Sequence, residues 1–113
     1  MSLKVVLGLV VAATAVTSVA PVAFADETGL ASMHTWRRER GRTCMADHWH
    51  FGSSGVQHSR RTAERVAVRS WQNFTALEYG TTWARYNRAA GRKMTCTPSP
   101  GGWSCDVEAR ACR

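Results

Sequence analysis

The chain has 113 residues, carries 15 Lys+Arg against 8 Asp+Glu for a net charge of +7, and contains 4 cysteines. This length corresponds to one small domain, close to the size at which an apolar core alone supplies little stability margin. Cysteine spacing excludes a thioredoxin-like C-x-x-C redox site, and the strongly basic balance points toward anionic partners.

The first segment, Met1 to Ala25, reads as a secretory signal peptide. Lys4 supplies the positive head, a small-residue apolar run follows from Val5 to about Ala20, and Ala23-Phe24-Ala25 offers the A-x-A site for cleavage before Asp26. Gly8, Thr14, Thr17 and Ser18 break the apolar run, so a retained anchor is the weaker reading. With no cysteine at the cleavage point, lipidation there is excluded. The expected setting is periplasmic or secreted, with no stable transmembrane segment after cleavage. In an oxidising compartment the four cysteines are expected to form two disulfides.

Residues 26–43 show little periodicity and are expected to form a poorly ordered basic segment. Residues 44–113 are expected to be the stapled domain. Gly52-Ser53-Ser54-Gly55 reads as a loop. From Thr62 to Tyr79, Ala63, Val66, Ala67, Trp71, Phe74 and Leu77 recur at three- and four-residue steps, which predicts a helix with one apolar face. Thr62 is its expected cap, Glu64 falls in its first turn, and Gly80 ends it in a left-handed position. A second, shorter helix is predicted after Thr81, with Trp83, Tyr86, Asn87 and Ala90 on one face and Gly91 at its end.

Arg92 to Val107 predicts a β-hairpin around Pro98-Ser99-Pro100-Gly101-Gly102. If paired residue numbers sum to 201, Met94 and Cys96 share a face with Trp103, Cys105 and Val107, and Cys96 lies opposite Cys105. That alternation favours Cys96–Cys105 and leaves Cys44–Cys112 as the second bridge. Four cysteines allow three pairings, and sequence alone does not choose among them. The expected fold is a small disulfide-stapled α+β domain, with two helices packed on a C-terminal β-hairpin and an irregular N-terminal segment.

Two groups of residues are candidates for chemistry. In Asp47-His48-Trp49-His50 the two histidines share a face if the backbone is extended, so Asp47, His48 and His50 form a candidate metal set. A fourth ligand from Cys44 is removed if that cysteine is oxidised, and a solvated loop is the bland alternative. A nuclease-like hydrolase would use His48 and His50 as general acid and base, drawing on His34, His58, Glu64 or Glu78. No motif locks that set together. Arg61, Arg65 and Arg69 recur every four residues and form a basic stripe, which is either a solvent face or a contact for an anion. Among the tryptophans, Trp71, Trp83 and Trp103 fall on inward faces, whereas Trp36 and Trp49 are candidates for exposure.

The pattern Cys44-Met-Ala-Asp-His48-x-His50 with Gly52-Ser53, then Ser70-Trp71-x-x-Phe74-Thr75-x-x-Glu78-Tyr79-Gly80-x-x-Trp83, then Cys96, Trp103-Ser104-Cys105 and Glu108-Ala109-Arg110-Ala111-Cys112, resembles small cysteine-containing exported proteins of alphaproteobacteria. The resemblance covers residues 44–113. It implies a Gram-negative periplasmic or secreted setting and brings no established activity with it. Proline often precedes the last cysteine in such tails, and Ala111 stands there in this chain. The functional expectation is a noncatalytic binding or structural protein of the cell envelope, without a cofactor, contacting an anionic polymer or envelope surface.

Overall fold

The computed structural model describes residues 10–21 and 23–113. Residues 1–9 and 22 of the expected signal peptide lie outside the described residues. The rest of that stretch, up to Ala25, is exposed and holds no regular element. Among the described residues no helix is long and apolar enough to cross a membrane.

A C-terminal hairpin organises the fold. Strand β4 (Ala90–Ser99) and strand β5 (Gly102–Arg110) pair antiparallel, with Cys96 opposite Cys105 and Met94 opposite Val107. This is the predicted register. Alternation sends Cys105, Val107 and Ala109 inward, while Asp106 faces solvent. Cys96 and Cys105 are bridged, as are Cys44 and Cys112, and no cysteine is free.

A third strand, β3 (His50–Gln57), adds to β5 and gives the order β3-β5-β4. It runs through Gly52-Ser53-Ser54-Gly55, which composition had marked as a loop. The glycines suit the strand for a steric reason. A Cβ on Gly52 would stand 2.4 Å from the Ala67 carbonyl oxygen and 2.5 Å from the Trp71 nitrogen, so only glycine lets the covering helix approach this closely.

That helix, α2 (Arg60–Tyr79), lays Ala63, Ala67 and Trp71 across one face of the sheet. Its start lies two residues before the predicted one. Ser59, not Thr62, is the cap, and its hydroxyl accepts from the Thr62 N–H at 3.1 Å. The first turn therefore holds no acidic residue, and Glu64 instead pairs with Arg60 at 3.2 Å. Beyond Trp71 the buried side moves to Thr75, Ala76 and Tyr79, which leaves Phe74 and Leu77 exposed against expectation. The buried row continues at four-residue steps, with Thr75 and Tyr79 packed on His50 of β3, and Phe74 and Leu77 fall beside it.

Gly80 ends α2 at φ 104°, ψ 167°, a positive-φ but extended conformation rather than the predicted left-handed helical one. The reversal lays residues 25–28 alongside the helix end. Thr81 N–H donates to the Ala25 carbonyl at 2.9 Å, and Thr28 N–H donates to the Tyr79 carbonyl at 2.9 Å. The predicted second helix is replaced by two single 3-10 turns, Thr81–Trp83 and Tyr86–Arg88, separated by extended Arg85. Trp83 is fully buried and its indole donates to Glu27 at 3.1 Å, so tertiary anchoring overrides a helix too short to nucleate well.

The N-terminal stretch carries a short helix α1 (Gly29–Ser32) and a hairpin of β1 (Trp36–Glu39) with β2 (Arg42–Met45). Arg40 and Gly41, at φ 48° and 77°, form its two-residue turn. The hairpin is held to the C-terminus by Cys44–Cys112, by Met45 N–H donating to the Ala111 carbonyl at 2.9 Å, and by Arg113 N–H donating to the Thr43 carbonyl at 2.8 Å. These long-range contacts, rather than local periodicity, order residues 26–43.

Candidate functional site

The arginines divide into those the fold uses and those it leaves without a carboxylate. Arg110 is buried, donates to the Met45 carbonyl at 2.8 Å and to Glu39 Oε1 at 2.6 Å, and lies 5.5 Å from the centre of the Trp49 ring. Arg113 stacks on both Trp36 and Trp83, with centroid distances of 4.6 and 5.2 Å, and donates to Glu27 at 2.6 Å. Arg37 reaches Glu39 at 3.3 Å. Among the described residues Arg38, Arg40, Arg42, Arg61, Arg65, Arg69, Arg85, Arg88 and Arg92 make no ion pair.

Three of these unpaired arginines meet in one place. The turn between β1 and β2 faces the start of β4 across a pocket of about 580 Å³, lined by Glu39, Arg40, Arg42, Ala89, Ala90, Gly91 and Arg92. Arg42 is fixed at the wall by donating to the Arg88 carbonyl at 2.5 Å. Arg40 sits in a left-handed backbone conformation that a non-glycine residue adopts at a cost of about 1 kcal/mol. Arg92 lies in the ladder irregularity between Ala90 and Lys93, with its guanidinium 5.7 Å from the centre of the Tyr86 ring.

The acid in the pocket wall, Glu39, is already neutralised. A hydrogen bond from Arg110, aided by Arg37, holds its carboxyl at about 2, against an opposing effect of burial. The pocket is therefore net positive. Its guanidinium groups match the planar oxygens of a phosphoryl, sulfate or carboxylate group.

The predicted stripe lies elsewhere. Arg61, Arg65 and Arg69 are exposed on α2, and Arg65 and Arg69 border a shallow groove with Glu64, Val68, Gln72 and Met94. Sequence reading missed Arg40, Arg42 and Arg92, which lie up to 52 positions apart in the chain. Only the Arg40-Gly41 dipeptide, a turn signal between basic residues, hinted at one end of the pocket.

The histidines gather on another face. His48 and His50 stand side by side, ring centroids 5.2 Å apart, as extended spacing predicts. His50 opens β3 and is buried, stacked on Tyr79 with centroids 4.6 Å apart, and its Nδ1 lies 2.8 Å from Thr75 Oγ1. Burial is the main reason its imidazole is held down to about 4, so it is neutral at pH 7. Asp47 flanks a cleft with His48 but is not among the ligand-bearing groups that converge nearby; those are His34, His48 and Glu78. No residue lines both this cleft and the arginine pocket.

Comparisons with family models, with curated proteins and with solved structures found no match to this chain.

Proposed function

We propose that this chain is a noncatalytic binding protein of the cell envelope, exported to a periplasmic or secreted setting, that takes an anionic group in the pocket formed by Arg40, Arg42 and Arg92. One observation carries the reading: three arginines line the pocket, and its single carboxylate is already committed to Arg110. The leader-like sequence of residues 1–25, the two disulfides and the resemblance over residues 44–113 support export. The exposed Arg61, Arg65 and Arg69 stripe supplies a second, diffuse positive field that would draw a polyanion toward the surface without defining where it seats.

Heparin, as a sulfated polymer, and inorganic pyrophosphate, as a small phosphate, are suitable probes. Binding should weaken steeply with salt. Arg40→Ala with Arg92→Ala should reduce pyrophosphate binding, whereas Arg61→Ala with Arg65→Ala and Arg69→Ala should reduce only heparin binding. Salt-independent binding, or none to either probe, overturns the proposal.

The hydrolase reading has less support. His50 is neutral and buried, and the His48–His50 pair lies apart from the arginines that would hold a phosphate.

A further inference from the structure

We propose a second site, independent of the arginine pocket, that binds a divalent transition metal of the zinc class through His34, His48 and Glu78. The three residues come from distant parts of the chain: just after α1, the segment before β3, and the last turn of α2. One ligand atom from each lies within 4.8 Å of the others. His48 Nε2 and Glu78 Oε1 are already 3.8 Å apart, near the separation of about 3.4 Å that two ligands of a tetrahedral zinc adopt. Two imidazoles and a carboxylate make a nitrogen-and-oxygen donor set suited to such an ion, with at least one position left for water or a further ligand. That position would face the cleft of about 250 Å³ that His34 and His48 share with Met33, Thr35 and Asp47.

Three independent features support a ligand here. The first is the way His34 is held. Its Nδ1 lies 2.9 Å from the Leu30 carbonyl, which can only accept, so in the neutral ring the proton sits on Nδ1 and Nε2 is the nitrogen open to a ligand. Metal-binding histidines are oriented in this way by a carbonyl behind the ring. The second is unpartnered buried polarity. The Tyr79 hydroxyl is buried with no hydrogen-bond partner, whereas His50 Nε2 lies 2.9 Å from Glu78 Oε2. Buried polar atoms in native proteins are usually satisfied, and the Tyr79 ring packs against His34, His48 and His50. The third is the position of Glu78. A carboxylate in the last turn of a 20-residue helix faces the negative end of the helix dipole, and no basic residue in that turn offsets it. A bound cation would.

His50 is a positioning residue here rather than a ligand. It is pinned between Thr75 and Tyr79 and lies behind the Glu78 carboxylate. The set thus differs from Asp47, His48 and His50, the residues singled out by their spacing in sequence.

Isothermal titration of the disulfide-intact protein with zinc chloride tests the site, with thermal unfolding as a second readout. One ion per chain should bind at micromolar affinity or better and raise the unfolding temperature. His34→Ala and His48→Ala should each weaken binding by more than about tenfold, and Glu78→Gln should do the same. Asp47→Ala and Arg61→Ala should leave it unchanged. X-ray absorption of the zinc form should report two imidazole ligands. Absence of both heat and thermal shift overturns the proposal, as does wild-type binding in the His34→Ala protein. Loss of binding in Asp47→Ala with His34→Ala unaffected would place the ion on the sequence-adjacent residues instead, which also overturns it.

Discussion

Arg110, at the end of β5, directs its guanidinium at both carboxylate oxygens of Glu39 in β1, 71 positions earlier in the chain. The pair does two things at once. It ties the N-terminal hairpin to the sheet, and it cancels the one negative charge in the wall of the arginine pocket.

Replacing Arg110 by methionine should therefore destabilise the fold by about 3 kcal/mol, because Glu39 and the Met45 carbonyl lose a buried cationic partner. The same change should weaken pyrophosphate binding, because Glu39 then keeps only the half-exposed Arg37 as a partner and its negative charge is less fully offset in the pocket. Urea unfolding and titration of the variant check both effects. Unchanged stability would mean that the pair is not formed in solution.

Stability should fall in two windows as pH decreases. An unfolded histidine takes up its proton near 6.5, while buried His50 does so only near 4, so stability is lost as pH falls from 6.5 through 4. Glu39 has the same sign. Its unfolded carboxyl titrates near 4.5 and its folded one near 2, so the contribution of the Arg110 pair is full above 4.5 and lost as pH falls through 2. Urea midpoints measured against pH should show the upper window unchanged in Arg110→Met and the lower one reduced to the part that Arg37 supplies.

Gly52→Ala should cost about 3 kcal/mol, since the new methyl meets helix backbone and not a flexible side chain. Gly55→Ala provides the contrast. A Cβ there meets nothing within 4 Å, so only its positive φ opposes the change, and the loss should be about 1 kcal/mol. Equal losses at the two positions would argue against the close seating of α2 on β3.

The bridges should be unequal in effect. Removing Cys44–Cys112, which spans 68 positions, should cost about 4 kcal/mol from loop closure, against roughly 2.7 kcal/mol for Cys96–Cys105, which spans 9. Paired serine substitutions followed by thermal unfolding measure both. The reverse order would show that local strand pairing, and not chain entropy, dominates.

Much of the fold was legible in the sequence. Helix α2 announced itself through Ala63, Ala67 and Trp71, because a packed helix repeats its buried residues every three to four positions. The β4–β5 hairpin was equally plain, and the opposition of Cys96 to Cys105 followed from alternation alone. Strand β3 was not legible. Its glycines and serines suggest a loop by propensity, yet they are there because α2 backbone presses on Gly52. Phe74 and Leu77 misled in the opposite direction, as they fit the helical period but lie beside the buried row of Ala63, Ala67, Trp71, Thr75 and Tyr79. Of the candidate sites, the closeness of His48 and His50 was readable, while the arrival of His34 and Glu78 beside them was not.

By itself, then, the sequence determined the local features of this protein: the period of α2, the register of the C-terminal hairpin, the positive charge and the cysteine pairing that register favours. These depend on neighbours a few positions apart. Only the tertiary structure decided which arginines are spent on Glu39, Glu27 and Glu64, which three line a pocket, and which histidines face a common carboxylate. Such groupings join residues tens of positions apart. They are set by where packing and the Cys44–Cys112 bridge bring the chain back on itself, and no short-range pattern encodes them.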